Sequence, residues 1–510
     1  MQNPDKECNW MIGLRKRSIG MTVKLALCAL IGATVWSGIS PGKSDAAAVS
    51  IPGVAAGAQH SAALLPDGTF WVWGENNENQ LGIGAPSVAQ RTPVMKELSG
   101  ITSIAVGHDH SLVVNKKGEL FGFGANWSGQ LGKPYSVATT IASPTQISTP
   151  GGTGKVTVAA AGQNFSLALK DDGTAWIWGY SSHINYVNRG TSVQHIPYKI
   201  TGTSWQYTGA AAALDSGFLI TNNKEVYAFG RNDQGQLGVG SYRDQTTLSY
   251  VRGLNNIKDV ATSGTHTLAV THDGNVLAFG SNEFGKLGLN SDTASFNKPQ
   301  PVPGLSDIQA IAVGSSHSVA LDGSGHVYLW GSNEFGQLGN GTKASSSTPI
   351  ELGLDHVISI AAGFDHTLLM QSDGSVWACG TNSFGQVGVG TASEYLTPVK
   401  VFDLPPTAPA DFRAMGEAPT SVQLNWKANT ESDFHHYNVY WRRAGSPPET
   451  PWEVRETTDT GYKVTGLESY KYYDFKVTAV DAAGHESQPT ETLDRSPVLR
   501  LPDVPPAYHY

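Results

Sequence analysis

The chain has 510 residues, enough for more than one domain, and only 15% of them are charged. Its formal net charge of −9 argues against nucleic acid or an anionic membrane surface as the main partner, because both need a basic protein surface. Glycine is abundant, at 58 residues, and aromatic residues are frequent, which is typical of short strands joined by tight turns.

Residues 1–48 have the layout of a secretory signal peptide. A basic segment with Arg15, Lys16 and Lys24 precedes an apolar run over residues 25–39, and small residues follow. The run is short and contains glycine, so we expect export, with membrane contact only during export, rather than a permanent anchor. Six basic and three acidic residues lie in 1–45, so the 34 basic and 43 acidic residues of the whole chain fall to 28 and 40 beyond it. The sequence therefore predicts a secreted, acidic protein, extracellular or at the cell surface.

Seven repeats of about 50 residues occupy residues 49–404. Each carries aromatic-x-(Trp/Phe)-Gly or a close variant, and Asp-Gly often lies before it, which predicts a β-hairpin turn. The marker glycines are Gly74, Gly124, Gly179, Gly230, Gly280, Gly331 and Gly380. A histidine slot precedes each marker and is filled by His60, His110, His266, His317 and His366, with Phe165 and Ser216 in repeats three and four.

Each repeat predicts four strands. The first is built of small residues, the second starts at the histidine slot, the third ends at the marker glycine, and the fourth follows a proline such as Pro93. Four strands in each of seven repeats predict an all-β fold, a seven-bladed β-propeller. Small residues suit the crowded axis, while the aromatic residues of the third strand suit the wider space between blades.

The small-residue strand, His-(Ser/Thr), Trp-Gly and the segment Asn333 to Gly339, Asn-x-x-Gly-Gln-Leu-Gly, resemble the regulator of chromosome condensation repeat family. The resemblance implies a seven-bladed propeller. Nuclear members of that family exchange nucleotide on a small GTPase and bind chromatin, but the export signal and acidic charge lead us to expect neither a small GTPase nor nucleic acid. An exported bacterial inhibitor of β-lactamases resembles the same propeller and caps its enzyme with one face. The exported bacterial type of the family is therefore expected.

A second domain is predicted over residues 405–495. Residues 422–426, including Trp426, are predicted to form one strand, and the segment from Tyr473 to Val480 resembles the tyrosine corner of fibronectin type III domains, which are immunoglobulin-like β-sandwiches. The resemblance implies that Tyr473 makes the corner hydrogen bond. Residues 496–510 contain prolines and are expected to form a flexible tail.

No motif for catalysis, a metal or a cofactor stands out. A catalytic group is needed once, whereas the histidines recur in five repeats, which favours a packing or hydrogen-bonding role. The segment from His108 to His110 does not predict a metal site, because adjacent residues of a strand point to opposite faces and His110 occupies the recurrent histidine slot. We expect a binding protein that is not an enzyme.

In a four-stranded meander, the loops between strands one and two and between strands three and four emerge at the same end. The first set carries Asp109, Asp215 and Asp365, and the second carries Trp127, Phe284, Phe335 and Phe384. Aromatic anchors in a polar surround suit an extracellular protein partner. Two alternatives remain: stacking on carbohydrate or cell wall, and an enzyme that uses the aspartates at the channel mouth. The phenylalanines also suit simple bracing of their own turns, and the divergent segment from Tyr180 to Thr191 suits either drift or a specialised patch.

Overall fold

The structure is a computed structural model that describes residues 53–497, apart from 85, 150–153, 185–193, 202–203, 403–404, 430, 432–433 and 483. The predicted signal peptide and all but the first two residues of the predicted tail lie outside the described residues. Among the residues that are described, no helix is long and apolar enough to cross a membrane.

Seven four-stranded antiparallel sheets form the blades, and each sheet is made by one repeat. Blade 1 comprises β1 (Gly53–Ala56), β2 (His60–Leu64), β3 (Phe70–Asn76) and β4 (Ser87–Lys96). Blade 2 comprises β5 (Ile101–Val106), β6 (His110–Asn115), β7 (Leu120–Ala125) and β8 (Thr140–Ile147). Blade 3 comprises β9 (Val156–Ala161), β10 (Phe165–Lys170), β11 (Ala175–Gly179) and β12 (Gln194–Lys199).

The remaining blades repeat the same strand order. Blade 4 comprises β13 (Tyr207–Ala213), β14 (Ser216–Thr221), β15 (Val226–Gly230) and β16 (Gln245–Tyr250). Blade 5 comprises β17 (Ile257–Thr262), β18 (His266–Thr271), β19 (Val276–Ser281) and β20 (Ser295–Pro301). Blade 6 comprises β21 (Ile308–Val313), β22 (His317–Asp322), β23 (Val327–Gly331) and β24 (Ser346–Leu352), and blade 7 comprises β25 (Val357–Ala362), β26 (His366–Gln371), β27 (Val376–Thr381) and β28 (Glu394–Phe402).

The marker glycines close the third strand of each blade. All seven have φ between +102° and +106°, a region that side chains avoid. A Cβ on Gly74 would lie 2.6 Å from the carbonyl oxygen of Gln59, so the neighbouring loop leaves no room for one. The glycine therefore lets the third strand run close beside the loop between strands one and two.

The predicted start of the fourth strand is wrong. Pro93 lies inside β4 rather than before it, within a shift of register between the pairs Gly74–Gln90 and Val72–Val94. Because β4 is the outer edge of its sheet, a residue without an N–H is tolerated there.

The ring closes between blade 7 and blade 1. The N–H of Phe364 donates to the carbonyl of Ala58 at 3.2 Å, and the N–H of Val54 donates to Ser359 Oγ at 3.2 Å. One apolar cluster contains Val54 and Trp73 from blade 1 together with residues of blade 7, including Leu368. The predicted seven-bladed propeller is confirmed.

The second domain is a two-sheet sandwich, which confirms the predicted fibronectin type III fold. One sheet contains β29 (Arg413–Ala418), β30 (Ser421–Asn425) and β33 (Gly461–Thr465), and the other contains β31 (Phe434–Arg443), β32 (Glu453–Thr457), β34 (Tyr473–Asp481) and β35 (Leu493–Arg495). Trp426, Tyr437 and Phe475 pack in its core. The hydroxyl of Tyr473 accepts the N–H of Glu468 at 3.1 Å, which is the corner hydrogen bond implied by the resemblance.

Candidate functional site

The recurrent histidines join neighbouring blades. His60 Nε2 lies 3.1 Å from Ser111 Oγ of the next blade, and that hydroxyl donates to the carbonyl of Gln80 at 2.9 Å. Since the hydroxyl hydrogen is used for the carbonyl, the histidine Nε2 must carry the hydrogen that it shares with the serine. The same pairing joins His110 to Ser166, His266 to Ser318, His317 to Thr367 and His366 to Ser61.

These histidines are fully buried and neutral. Burial lowers the pKa of His60, His317 and His366 to about 3 and that of His110 to about 4, and it also lowers the pKa of His266. A base that is neutral, buried and directed at the next blade has no access to a substrate.

The junctions between blades 3 and 4 and between blades 4 and 5 lack this link. Phe165 takes the histidine position of blade 3, and Gly217 takes the serine position that follows it in blade 4. In blade 4 the Ser216 hydroxyl bonds within its own loop, to the carbonyl of Ala213 at 3.3 Å. The donor and the acceptor of the junction between blades 3 and 4 are thus lost together, and apolar packing around Phe165 replaces them.

The end of the propeller that carries the loops between strands one and two and between strands three and four is called the loop face below. Its inner ring contains the three predicted aspartates. Asp109 Oδ2 lies 2.6 Å from His108 Nδ1, and although burial acts to raise the pKa of Asp109, this hydrogen bond holds it below its usual value. Burial raises the pKa of Asp365, whose Oδ1 accepts hydrogen bonds from Ser315 and Ser316 at 3.1 Å.

Hydrogen bonds thus engage the carboxylates of two of the three aspartates, Asp109 with the adjacent His108 and Asp365 with two serines of blade 6. Asp215, the third, is only partly exposed, and its carbonyl accepts the N–H of Arg231 at 2.9 Å. The structure holds the three in blades 2, 4 and 7, each within its own loop, and brings no shared hydrogen bond between them in the part of the chain that it describes.

Five exposed aromatic side chains lie farther out on the loop face, on four consecutive blades. They are Trp127 and Tyr135 of blade 2, Tyr180 of blade 3, Tyr242 of blade 4 and Phe284 of blade 5, with exposed fractions of 47%, 56%, 41%, 47% and 51%. This set is called the aromatic arc. Tyr180 directly follows β11 and Tyr242 lies between β15 and β16, so both emerge at the same end as Trp127 and Phe284.

The sequence analysis named Trp127 and Phe284 as binding candidates, included Tyr180 only within the divergent segment, and did not name Tyr135 or Tyr242. The signal for Tyr180 was its place directly after a marker glycine, where other repeats carry small or charged residues. Phe335 and Phe384, the other two candidates, are only partly exposed.

A glutamine fixes the turn beneath each of these two phenylalanines. The N–H of Phe335 donates to Gln337 Oε1 at 3.0 Å, and the N–H of Phe384 donates to Gln386 Oε1 at 2.9 Å. Blades 1, 2 and 4 contain the same bond, accepted by Gln80, Gln130 and Gln236. In blade 5 the glutamine is replaced by Lys286.

Metal chemistry finds no support in the described residues, where no group of three or more His, Cys, Asp and Glu side chains is placed to hold a metal ion. Cys379 is buried, and burial raises the pKa of its thiol to about 12, so the thiol stays protonated. The loop face offers aromatic surface within a polar and acidic surround, which suits binding to a macromolecule.

This architecture is that of a known repeat family. The family model of the regulator of chromosome condensation (RCC1) repeat matches residues 67–114, 117–169, 224–270, 273–321, 324–370 and 373–410, more than half of the chain. The model of the fibronectin type III domain matches residues 407–493. The chain belongs to the RCC1 repeat family and carries a fibronectin type III domain after the propeller.

Particular relatives agree with this assignment. The chain is similar to the ultraviolet-B receptor UVR8 of Arabidopsis thaliana, with 28% identity over 59% of this chain and 69% of the relative. It is equally similar, at 28% identity, to the mouse secretion-regulating guanine nucleotide exchange factor, over 59% of this chain and 70% of the relative. The fold matches the crystal structure of Prp20p from Saccharomyces cerevisiae, with a TM-score of 0.60, 23% identity and coverage of 70% of this chain and 87% of that one.

These relatives overturn the partner prediction. Prp20p was studied for its binding to Gsp1p, a small GTPase, and to histones, and another relative is a guanine nucleotide exchange factor. The prediction that excluded a small GTPase is therefore wrong. Net charge describes the whole chain, whereas a partner contacts one face, so an excess of acidic residues excludes no class of protein partner.

Proposed function

We propose that this chain is a non-catalytic binding protein whose propeller holds a protein partner on the loop face. The observation that carries the proposal is the aromatic arc, five exposed aromatic side chains on four consecutive blades at one end of the propeller. Large aromatic side chains that water covers in the free protein release that water on binding, and they dominate the affinity of protein interfaces.

The scaffold beneath the arc suits this role. Each exposed aromatic side chain lies on a loop of a rigid blade, and neighbouring blades are joined through buried hydrogen bonds such as that of His60 with Ser111. Loops that a rigid scaffold holds in place lose little conformational entropy when a partner binds. The aspartates nearer the propeller axis add a polar, acidic region, and the exposed aromatic side chains lie farther out around it.

Guanine nucleotide exchange on a small GTPase is a second candidate. It is favoured by the similarity to the secretion-regulating guanine nucleotide exchange factor, of which the chain covers 70%. Exchange needs only that one protein bind another and alter its nucleotide site, so it is compatible with a face that contains no catalytic group.

Affinity capture with the full chain and three variants tests the proposal. Trp127→Ala and Tyr180→Ala remove rings of the arc, while Trp205→Ala removes a tryptophan that is 36% exposed at the opposite end of the blades. We expect the wild type and Trp205→Ala to capture the same protein and both arc variants to lose it. Equal capture by all four proteins contradicts binding at the loop face. Nucleotide release from purified small GTPases, measured with the same four proteins, separates exchange from binding alone.

We further propose that the protein is exported. Support comes from the basic segment, the apolar run and the small residues of the predicted signal peptide, residues 1–48. Fractionation of the native host followed by N-terminal sequencing tests this, and we expect a protein outside the cytoplasm that begins close to Ala48. A protein that stays in the cytoplasm with its first residues intact contradicts export.

A further inference from the structure

Phe284 differs from the other phenylalanines of the loop face in its backbone. It has φ 59° and ψ 14°, in the left-handed region, whereas Phe335 and Phe384 are absent from the residues with positive φ. A bulky residue other than glycine seldom adopts this conformation, which costs about 1 kcal/mol or more. A turn that retains such a residue needs a physical cause.

Lys286 supplies that cause. In the other described turns the glutamine at this position accepts the N–H of the residue two places before it, as Gln337 does for Phe335. A lysine has no acceptor atom, so the N–H of Phe284 cannot be held in this way. The turn instead forms a short 3-10 helix, Glu283–Gly285, in which the N–H of Lys286 donates to the carbonyl of Glu283 at 3.4 Å.

The lysine side chain turns inward and leaves the phenylalanine outside. Lys286 is only 2% exposed, and its Nζ donates to Thr265 Oγ1 at 3.1 Å and to the carbonyl of Ser315 at 3.4 Å. Burial lowers its pKa to about 8, so the protein retains this lysine at a cost in stability. Phe284 is 51% exposed, more than either of the other phenylalanines of the loop face.

We propose that Lys286 is a positioning residue that holds Phe284 outward as the main anchor for the partner, and that the partner offers an apolar pocket bordered by lysine or arginine. This proposal rests on the proposed function of the loop face. Glu283 is exposed and directly precedes Phe284 in the turn, so the anchor has a carboxylate next to it that a basic side chain of the partner can meet.

Two substitutions separate the missing acceptor from the buried charge. Lys286→Gln restores the acceptor, so the turn should adopt the form seen in blade 6 and Phe284 should withdraw. Lys286→Met removes the charge without adding an acceptor, so Phe284 should stay exposed. The reciprocal variant Gln337→Lys should expose Phe335.

Hydroxyl-radical footprinting with mass spectrometry measures these positions without any partner. We expect oxidation of Phe284 in the wild type and in Lys286→Met to exceed that of Phe335 and Phe384 in the same molecule. In Lys286→Gln it should fall to their level, and in Gln337→Lys oxidation of Phe335 should rise. Equal oxidation of Phe284 in the wild type and in Lys286→Gln overturns the positioning role of Lys286.

Calorimetric titration with the purified protein that the full chain captures measures the anchor. Phe284→Ala and Lys286→Gln should each bind about thirty-fold more weakly, the loss typical of a dominant interface aromatic, and Lys286→Met should bind as the wild type does. Normal affinity of Phe284→Ala with lost affinity of Trp127→Ala overturns the anchor and leaves the proposed function standing. Normal affinity of every arc variant overturns the proposed function itself.

Discussion

Acid should destabilise the propeller through its buried histidines, and His317 allows the clearest test. Its Nε2 lies 3.0 Å from Thr367 Oγ1, and its Nδ1 is buried without a hydrogen-bond partner among the described residues. Burial alone lowers its pKa from 6.5 to about 3. A second ring proton would therefore place a charge and an unsatisfied donor inside the protein.

The direction of the pH effect follows from proton binding. Between pH 6.5 and about 3 the unfolded chain binds a proton at His317 and the folded chain does not, so the stability contributed by neutral burial is lost as the pH falls through this range. Each such histidine costs about 1.4 kcal/mol of unfolding free energy between about pH 7.5 and pH 5.5. The five repeat-slot histidines together cost about 7 kcal/mol, which is comparable with the total stability of a domain, about 5–15 kcal/mol.

His317→Gln keeps a donor for Thr367 but cannot titrate. We expect it to be less stable than the wild type by about 1–3 kcal/mol near neutral pH, and to close most of that gap near pH 5.5 because its stability falls less steeply. Urea titrations of the full chain across this pH range measure both curves. His326→Gln is the matched control: a hydrogen bond with Asp322 raises the pKa of His326, so this exposed histidine stabilises at low pH and the effect is lost as pH rises. Identical acid slopes for the wild type and His317→Gln would refute the argument.

Three further predictions concern packing and burial. A Cβ on Gly363 would overlap the ring of His366, whereas a Cβ on Gly353 would meet nothing within 4 Å. Gly363→Ala should therefore lower the unfolding free energy by about 2–4 kcal/mol, and Gly353→Ala should leave it nearly unchanged in the same calorimetric measurement. Lys286→Met should raise the free energy of unfolding by about 1–3 kcal/mol near neutral pH, because burial lowers the pKa of Lys286 to about 8. Between pH 8 and 10.5 the unfolded chain binds more protons than the folded chain, so the wild type should regain stability as the pH rises. A difference in stability between wild type and variant that stays constant across that range would count against a charged buried amine. Cys379, fully buried with its pKa raised to about 12, should not react with a thiol reagent until the propeller unfolds, and rapid labelling of the native protein would contradict its burial.

The period of the sequence repeats was enough to predict most of the fold. The marker glycine recurs in all seven repeats, the histidine in five and the Asp-Gly turn in four, so the repeats that keep a signal locate the same position where another repeat has lost it. The boundary of the fourth strand was mispredicted because a proline was read as a start signal, although Pro93 sits within an edge strand that tolerates it.

The candidate site was harder to predict because it depends on which loop side chains are exposed, and exposure does not recur at a fixed spacing in the sequence. Phe284 and Phe335 occupy equivalent places in their repeats, and only the replacement of glutamine by Lys286 two residues later separates an outward ring from a partly covered one. Tyr242 occupies the place that Lys343 takes in the equally long loop of blade 6, so no feature of the repeat predicts an aromatic residue there. The partner prediction failed for a different reason, since it used the charge of the whole chain in place of the charge of one face.

The closure of the ring has a consequence for how the chain can be rearranged. Each blade is a complete sheet from one continuous stretch, and blade 7 meets blade 1 through hydrogen bonds such as that of Phe364 with Ala58 and through shared apolar packing, without an exchanged strand. Gly53 and Phe402 therefore stand in the same relation as the ends of any other pair of neighbouring blades, which short connections such as residues 302–307 already bridge. The propeller should accept circular permutation at these connections, with a new start at any blade.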